Sequence, residues 1–144
     1  MSEEDTIKVL QEAEFGTLAC ICANGYPYAV PLNFVYENGA IYFHSAHKGH
    51  KIDTIKNNDK VSFSAVSYIY LVPNNFDTEY DSVVIFGTAI ELTDELEKRQ
   101  ALVSLIKKYS NDYFEEGMAY INKSMQAAAV YKINIEYMTG KRGR

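Results

Sequence analysis

At 144 residues the chain is long enough for one domain whose core needs no crosslinks. A formal net charge of −5 and a pI of about 5.2 exclude the basic surface that nucleic acid requires and disfavour an anionic membrane. Two cysteines, an acidic opening Ser2-Glu3-Glu4-Asp5 and no apolar run approaching ~20 residues predict a cytoplasmic protein with reduced thiols, without a secretory leader or membrane span.

Residues 2–14 read as a helix: Ser2 is a capping hydroxyl, acids fill the first turn, and Ile7, Leu10 and Ala13 form a stripe. Phe15 to Ala23 is strand-like, and Asn24-Gly25 is a two-residue hairpin signal. Cys20 and Cys22 fall in this apolar run, so inert core thiols are expected. The return strand, Tyr26 to Tyr36, contains Pro27 and Pro31, which have no N–H to give a ladder. Pro31 therefore leaves a gap in the sheet or lies on an edge.

Glu37-Asn38-Gly39 is a second turn, leading to the most informative stretch, Ile41 to Lys51. Ile41, Tyr42 and Phe43 begin it as a strand. It then turns polar and cationic, breaks at Gly49 and resumes as His-Lys-Ile-Asp-Thr-Ile-Lys, a short helix. Free N–H groups at such a helix start favour an anion. Ser45 adds a hydroxyl, and Lys48 and Lys51 add charge. A phosphate site is one reading; a solvated surface loop and helix is the other.

Asn57-Asn58-Asp59 is a turn, and Val61 to Val72 a strand with Phe63 and Ala65 on one face. Pro73 to Thr78 has loop composition. In the strand Tyr80 to Leu92, Val83-Val84-Ile85-Phe86 is apolar at successive positions, which predicts burial on both faces. A helix or a second subunit must then cover the outer one. Thr93 to Tyr109 is the clearest helix, capped by Thr93 or Asp94, with Leu96, Val103 and Ile106, and Leu102 beside them, as its apolar face. Tyr113 to Ser124 reads as a loop and a short helix, Ala127 to Tyr137 as the last strand, and Met138 to Arg144 as a tail. The expected architecture is α+β: a small antiparallel barrel of about six strands with peripheral helices, one domain over 1–144.

His44, His47 and His50 are three apart, yet strand, loop and helix would carry them apart, and no acid joins them at ligand spacing, so no metal is expected. His44 is either an acid–base group or a polar residue at a barrel rim. Nucleophile-elbow, Walker and Rossmann fingerprints are absent. Redox chemistry would have to come from a bound cofactor.

Six segments, in order, carry a resemblance: Glu14-Phe15-Gly16-Thr17-Leu18; Gly25-Tyr26-Pro27-Tyr28-Ala29-Val30-Pro31-Leu32-Asn33-Phe34; Ile41-Tyr42-Phe43-His44-Ser45-Ala46; Gly49-His50-Lys51; Tyr80-Asp81-Ser82-Val83-Val84-Ile85-Phe86-Gly87; and Thr139-Gly140-Lys141. Together the chain resembles the pyridoxamine 5′-phosphate oxidase-like family of FMN-binding split β-barrels, in the branch that includes nitroimidazole-resistance proteins. The resemblance implies a homodimer with FMN at the subunit interface. It implies a phosphate held by Ser45, Gly49, His50 and Lys51, and a flavin ring along Val30, Pro31, Leu32 and Asn33, near Phe43 and His44. The other subunit would contribute Tyr80, Ser82 and Val83, with Lys141 as a further contact. It implies an FMN-dependent oxidoreductase acting on a small organic substrate, nitroaromatics included, with His44 as proton donor. The alternatives are a non-enzymatic flavin-binding or sensing module, or a barrel carrying haem or a deazaflavin. The residues expected for binding a substrate's own phosphate are missing, which argues against vitamin B6 oxidation.

Overall fold

Seven strands form one antiparallel sheet in the order β2-β1-β5-β6-β7-β4-β3 in the computed structural model, which describes residues 1–144. The strands are β1 Gly16–Ile21, β2 Pro27–Leu32, β3 Val35–Glu37, β4 Ala40–Ser45, β5 Lys60–Val72, β6 Asp77–Glu91 and β7 Ala129–Gly143. The helices are α1 Glu3–Glu12, α2 His50–Asn57, α3 Glu95–Tyr109 and α4 Phe114–Ser124. The two outermost strands, β2 and β3, are neighbours in sequence, joined only by Asn33 and Phe34. That joint reaches at most about 11 Å, whereas a flat sheet this wide would separate its edges by roughly 28 Å. The sheet therefore has to roll into a barrel, split where β2 and β3 fail to pair.

Inside the roll, Leu18, Phe34, Ile41, Phe43, Phe63 and Ile85 are fully buried. Phe43 stacks on Tyr131 with ring centroids 5.5 Å apart, and Phe34 meets Phe63 edge-on at 4.8 Å. A second, smaller core lies outside the barrel, where Ala40 and Tyr42 on the other face of β4 pack with Ala101 and Leu105 of α3. It is thus β4 that is buried on both faces. On β6, Val83 and Ile85 are buried, but Val84 is 40% and Phe86 52% exposed, and no helix of this chain covers them.

The two prolines of β2 lie on the sheet edge and cost the ladder nothing. Cys22 N–H donates to Tyr26 O at 2.8 Å, which fixes the phase of the β1–β2 pairing. By antiparallel alternation, Tyr28, Val30 and Leu32 share that phase, while Pro27, Ala29 and Pro31 turn their backbone groups outward. The open edge beside the split therefore carries the carbonyls of Pro27, Ala29 and Pro31 but only one N–H, that of Ala29.

Three expectations need correction. The expected single return strand Tyr26 to Tyr36 is broken into β2 and β3, which brings the expected count of about six strands to seven. Residues Met138 to Gly143 are not a tail but the second half of β7, paired with Tyr80 to Ile85. Glycines and basic residues masked it, and each has a packing reason. A Cβ at Gly140 would lie 2.3 Å from Thr6 Oγ1 of α1, and Arg142 and Arg144 bind the buried Asp81 at 3.1 and 2.8 Å. The face of α3 is also shifted: Asp94 caps the helix, Ala101 and Leu105 are buried, and Leu96 is exposed. Sheet and α4 press on this helix from different sides, so no single stripe describes it.

β5 and β6 continue past the barrel as an arm. β1 pairs with β5 only through Ala65, and a bulge between Val66 and Tyr68 shifts the register beyond it. The arm displays Ile69 and Leu71, each 64% exposed, and at its tip Phe76, 98% exposed.

Candidate functional site

β4 ends where the barrel meets α2, and its alternation decides what each residue does. Ser45 continues the inward phase of Ile41 and Phe43, and His44 the outward phase of Ala40 and Tyr42. Lys51 Nζ donates to Ser45 Oγ at 3.1 Å. Gly49 caps α2 at φ 151°, a backbone setting that favours glycine, and offers no side-chain acceptor to the first turn. The opening amides of α2 therefore remain available beside the Lys51 ammonium. His50 Nε2 lies 3.4 Å from Cys22 Sγ, and its ring meets Tyr28 edge-on at 4.7 Å. No carboxylate is paired with Lys51 or His50. A hydroxyl, an ammonium, an imidazole and free helix amides make a donor set suited to a phosphate monoester.

His44 faces the other way, into a cavity of about 390 Å³ between the end of β4 and helices α3 and α4. Asn33 and Ser45 stand at the same cavity, so the ends of β2 and β4 meet there. Desolvation, and then the charge of Lys51, hold the His44 imidazole below its ordinary range, so it is neutral at pH 7.

The joint between β2 and β3 is clamped by the C-terminal end of α3. Tyr109 Oη accepts from Phe34 N at 3.1 Å and donates to Glu14 O at 2.6 Å. Asn33 Nδ2 donates to the same Glu14 carbonyl at 3.2 Å. Lys108 Nζ donates to Phe34 O at 3.0 Å and to Leu10 O at 3.3 Å, above the Phe34 ring. With only neutral partners, desolvation brings its pKa down to about 8. Below pH 8 both folded and unfolded chains carry the proton, and the fold bears the full cost of the half-buried charge. Between pH 8 and the ordinary lysine range the unfolded chain binds more protons, so Lys108 makes stability rise with pH. The raised thiol of Cys20 acts in the opposite sense over this range. The expected result is therefore a difference: denaturant midpoints from pH 7 to 10 should rise in the native chain relative to Lys108→Met. Parallel midpoints would show that the ammonium is not desolvated.

Of the residues singled out in the sequence, Ser45, Gly49, His50 and Lys51 come together, and Asn33 and His44 meet at the adjoining cavity. Val30 and Leu32 point toward the core and Pro31 outward along the open edge. Phe43 and Val83 are sealed in the core, so a ligand at these positions would meet backbone only. Tyr80, Ser82 and Lys141 form their own group, with Ser82 opposite Lys141 and the Lys141 ammonium 5.5 Å from the Tyr80 ring centroid. They lie far along β7 from Ala129, the partner of Ser45. Roughly 40 Å of strand intervenes at about 3.3 Å per residue, so one chain does not unite the two groups.

Sequence reading missed Tyr28, Lys108 and Tyr109, and it misplaced Cys22, which was expected as an inert core thiol beside Cys20 but is only half-buried. Cys22 lies past the end of β1, at the hairpin mouth and out of the core; the nearby Asn24-Gly25 turn was the available signal. Nothing local marks Lys108 or Tyr109, whose partners are far away in sequence.

A family model described as pyridoxamine 5′-phosphate oxidase matches residues 2–142. No protein of curated function matches the chain. Among solved structures, one from Bacteroides thetaiotaomicron, provisionally described as a 5-nitroimidazole antibiotic resistance protein, is 27% identical with a TM-score of 0.82, over 96% of this chain and 82% of its own. A FAD-binding protein from Mesorhizobium loti is 28% identical with a TM-score of 0.74, over 100% of this chain and 96% of its own. A FAD- and haem-binding protein from Mycobacterium smegmatis shares the fold at a TM-score of 0.85, with 17% identity over 99% of this chain and 72% of its own.

Proposed function

We propose, from the premise that the chain belongs to the pyridoxamine 5′-phosphate oxidase family, that it is an FMN-binding homodimer that reduces a small organic substrate. The observation that carries this reading is the Lys51 ammonium on the Ser45 hydroxyl at the start of α2, with the neighbouring His50 ring against Cys22 and Tyr28 at the open edge of β2. Bound FMN would supply hydride or electron transfer. Lys51 and Ser45 would fix the phosphate. The outward carbonyls of Pro27, Ala29 and Pro31, with the Ala29 amide, would meet the ring edge. His44, neutral at pH 7, would donate an N–H hydrogen bond to a substrate oxygen more readily than a proton.

Dimerisation accounts for the exposed features. Val84, Phe86 and Tyr137 form an apolar outer patch, with Phe86 and Tyr137 stacked at 6.3 Å. A second subunit is the cover that no helix of this chain provides. It would also bring Tyr80, Ser82 and Lys141 of one chain toward Ser45 and Lys51 of the other.

The Mesorhizobium relative supports a second reading, in which FAD occupies the same phosphate position. Titrating the purified protein with FMN, FAD and riboflavin, followed by flavin fluorescence, separates the readings. FMN should bind, and riboflavin should bind far more weakly because it lacks the anchored phosphate. Tighter FAD than FMN would install the second reading, and equal affinity for riboflavin would remove the phosphate site. With flavin bound, absence of reoxidation after NAD(P)H reduction would mark a binding module and not a reductase.

A further inference from the structure

We propose that the arm formed by β5 and β6 is a self-association surface, in which the free edge of β5 from Tyr68 to Val72 pairs antiparallel with the same edge of a second copy of this chain. The contact is separate from the apolar patch on the outer face of the barrel, and it needs no cofactor. β1 stops pairing with β5 at Ala65, and no other strand takes that side of β5 beyond it. The bulge between Val66 and Tyr68 lies at the barrel end of this edge. Past it the ribbon is regular, from Tyr68 opposite Asp81 to Val72 opposite Asp77. Roughly 17 Å of strand therefore carries backbone N–H and C=O groups, at alternate positions, that no strand of this chain satisfies.

The composition of the edge indicates what fits it. Exposed edges are ordinarily protected by lysine, by proline or by an inward-pointing charge. Here no charged residue lies between Lys60 and Asp77, and the edge reads Tyr-Ile-Tyr-Leu-Val. A two-fold axis sets the segment against itself, so the lack of charge means that no like charges are opposed. The ends select the register. Ser67 lies within the bulge, and Pro73, which has no N–H, follows Val72. Centring the axis on Tyr70 uses the whole regular edge and sets Pro73 of each copy against Ser67 of the other, where both ladders stop. The tip of the arm lies beyond that point. In this register Ile69 meets Leu71 of the second copy, on the face that also carries Tyr80 and Thr78. By alternation along β6 that face runs on into Val84 and Phe86. Ile69 and Leu71 are each 64% exposed, and each would cover the flank of the other. A two-stranded ribbon is marginal in water, whereas pairing yields a four-stranded sheet in the order β6-β5-β5-β6. The new ladder supplies about four to six hydrogen bonds. Such a contact is well short of the ~20–30 residues a side of a standard interface, so alone it forms only at high concentration. Two dimers joined through the outer-face patch would make it twice, in a closed assembly of four chains.

The test is a crosslink placed on the axis. In Tyr70→Cys the two Cα atoms would lie about 4.5–5.5 Å apart, within the span of a disulfide. Oxidation of the concentrated full chain with diamide should link most of it into covalent pairs. Val72→Cys, on the same face, lies roughly 14 Å from its own copy in this register and should stay unlinked. So should the native chain, whose Cys20 is buried and Cys22 half-buried. Tyr70→Lys sets two ammonium groups against each other and should halve the assembly mass read by light scattering at high concentration. Adding Phe86→Asp, on the outer face of the barrel, should leave the Tyr70→Cys link in place. Its loss there would overturn the proposal, because the arm contact would then belong to the outer-face dimer. Linking at Val72 equal to that at Tyr70, or a mass unchanged by Tyr70→Lys, would overturn it as well. An edge that stays unpaired in the concentrated pure protein would also overturn it and leave the edge to a strand of a different protein. None of these outcomes bears on whether flavin binds.

Discussion

Lys51→Ala should weaken FMN binding by roughly 50- to 100-fold, the loss of one charge-assisted phosphate contact worth about 2.5 kcal/mol. Lys51 is the ammonium that reaches Ser45 Oγ at 3.1 Å from the first turn of α2. Its removal leaves the helix amides and the Ser45 hydroxyl, which hold a phosphate less tightly. The side chain contributes little to the core, so the fold should survive unchanged by circular dichroism. Riboflavin, which lacks the phosphate, is the internal control: its affinity should be the same in the native chain and the variant. Equal FMN affinity in both proteins would place the phosphate elsewhere. Raising the salt concentration should weaken FMN in the native chain more than in the variant, because the ammonium contact is the screened one.

Gly87→Ala should cost about 3 kcal/mol, near the upper end for overpacking, and lower the melting temperature by roughly 10 °C. Gly87 lies at the β6–β7 bulge, where the register passes from Phe86 opposite Tyr137 to Gly87 opposite Ile135. A Cβ there would stand 2.1 Å from the backbone oxygen of Asn134 and 3.3 Å from Ile133 Cγ2. A carbonyl fixed in a ladder cannot yield as a side-chain tip does, so one strand would have to move. Movement on either side disturbs both cores, since Ile133 belongs to the barrel interior and Val130, on the same strand, to the outer core. A thermal melt within 2–3 °C of the native chain would show that the bulge is more pliant than its packing implies.

Much of this architecture was legible because local chemistry and tertiary role coincide. Ser2 accepts from Asp5 N at 3.1 Å, as a capping serine should, and Asn24-Gly25 does turn the chain between β1 and β2. The Gly49 break and the cationic start of α2 were visible because a helix N-terminus is a local feature. Where tertiary contacts overrode local preference, reading failed. The strand at Met138 to Gly143 has poor strand composition and is held by β6, α1 and Asp81. Leu96 looks like a core residue by type, yet it is exposed because α3 turns Ala101 and Leu105 to the sheet. The cavity was invisible for the same reason: its walls come from residues 33–46 and 102–128, and nothing in either stretch announces the other. His44 was found, but whether it faces inward or outward depends on strand phase, and that required the register of β4 with β7.

The short joint at Asn33 and Phe34 sets where the chain can grow. Adding residues between Leu32 and Val35 would slacken the only tether that forces the two outermost strands to face each other, and would detach the backbone that Lys108 and Tyr109 hold. Lengthening the hairpin tip around Pro73 to Phe76 disturbs neither, and the entropy of a longer surface loop grows only slowly with its length. Insertions and deletions tolerated over evolution, and any fluorescent tag or epitope placed internally, belong at the tip and not at the joint.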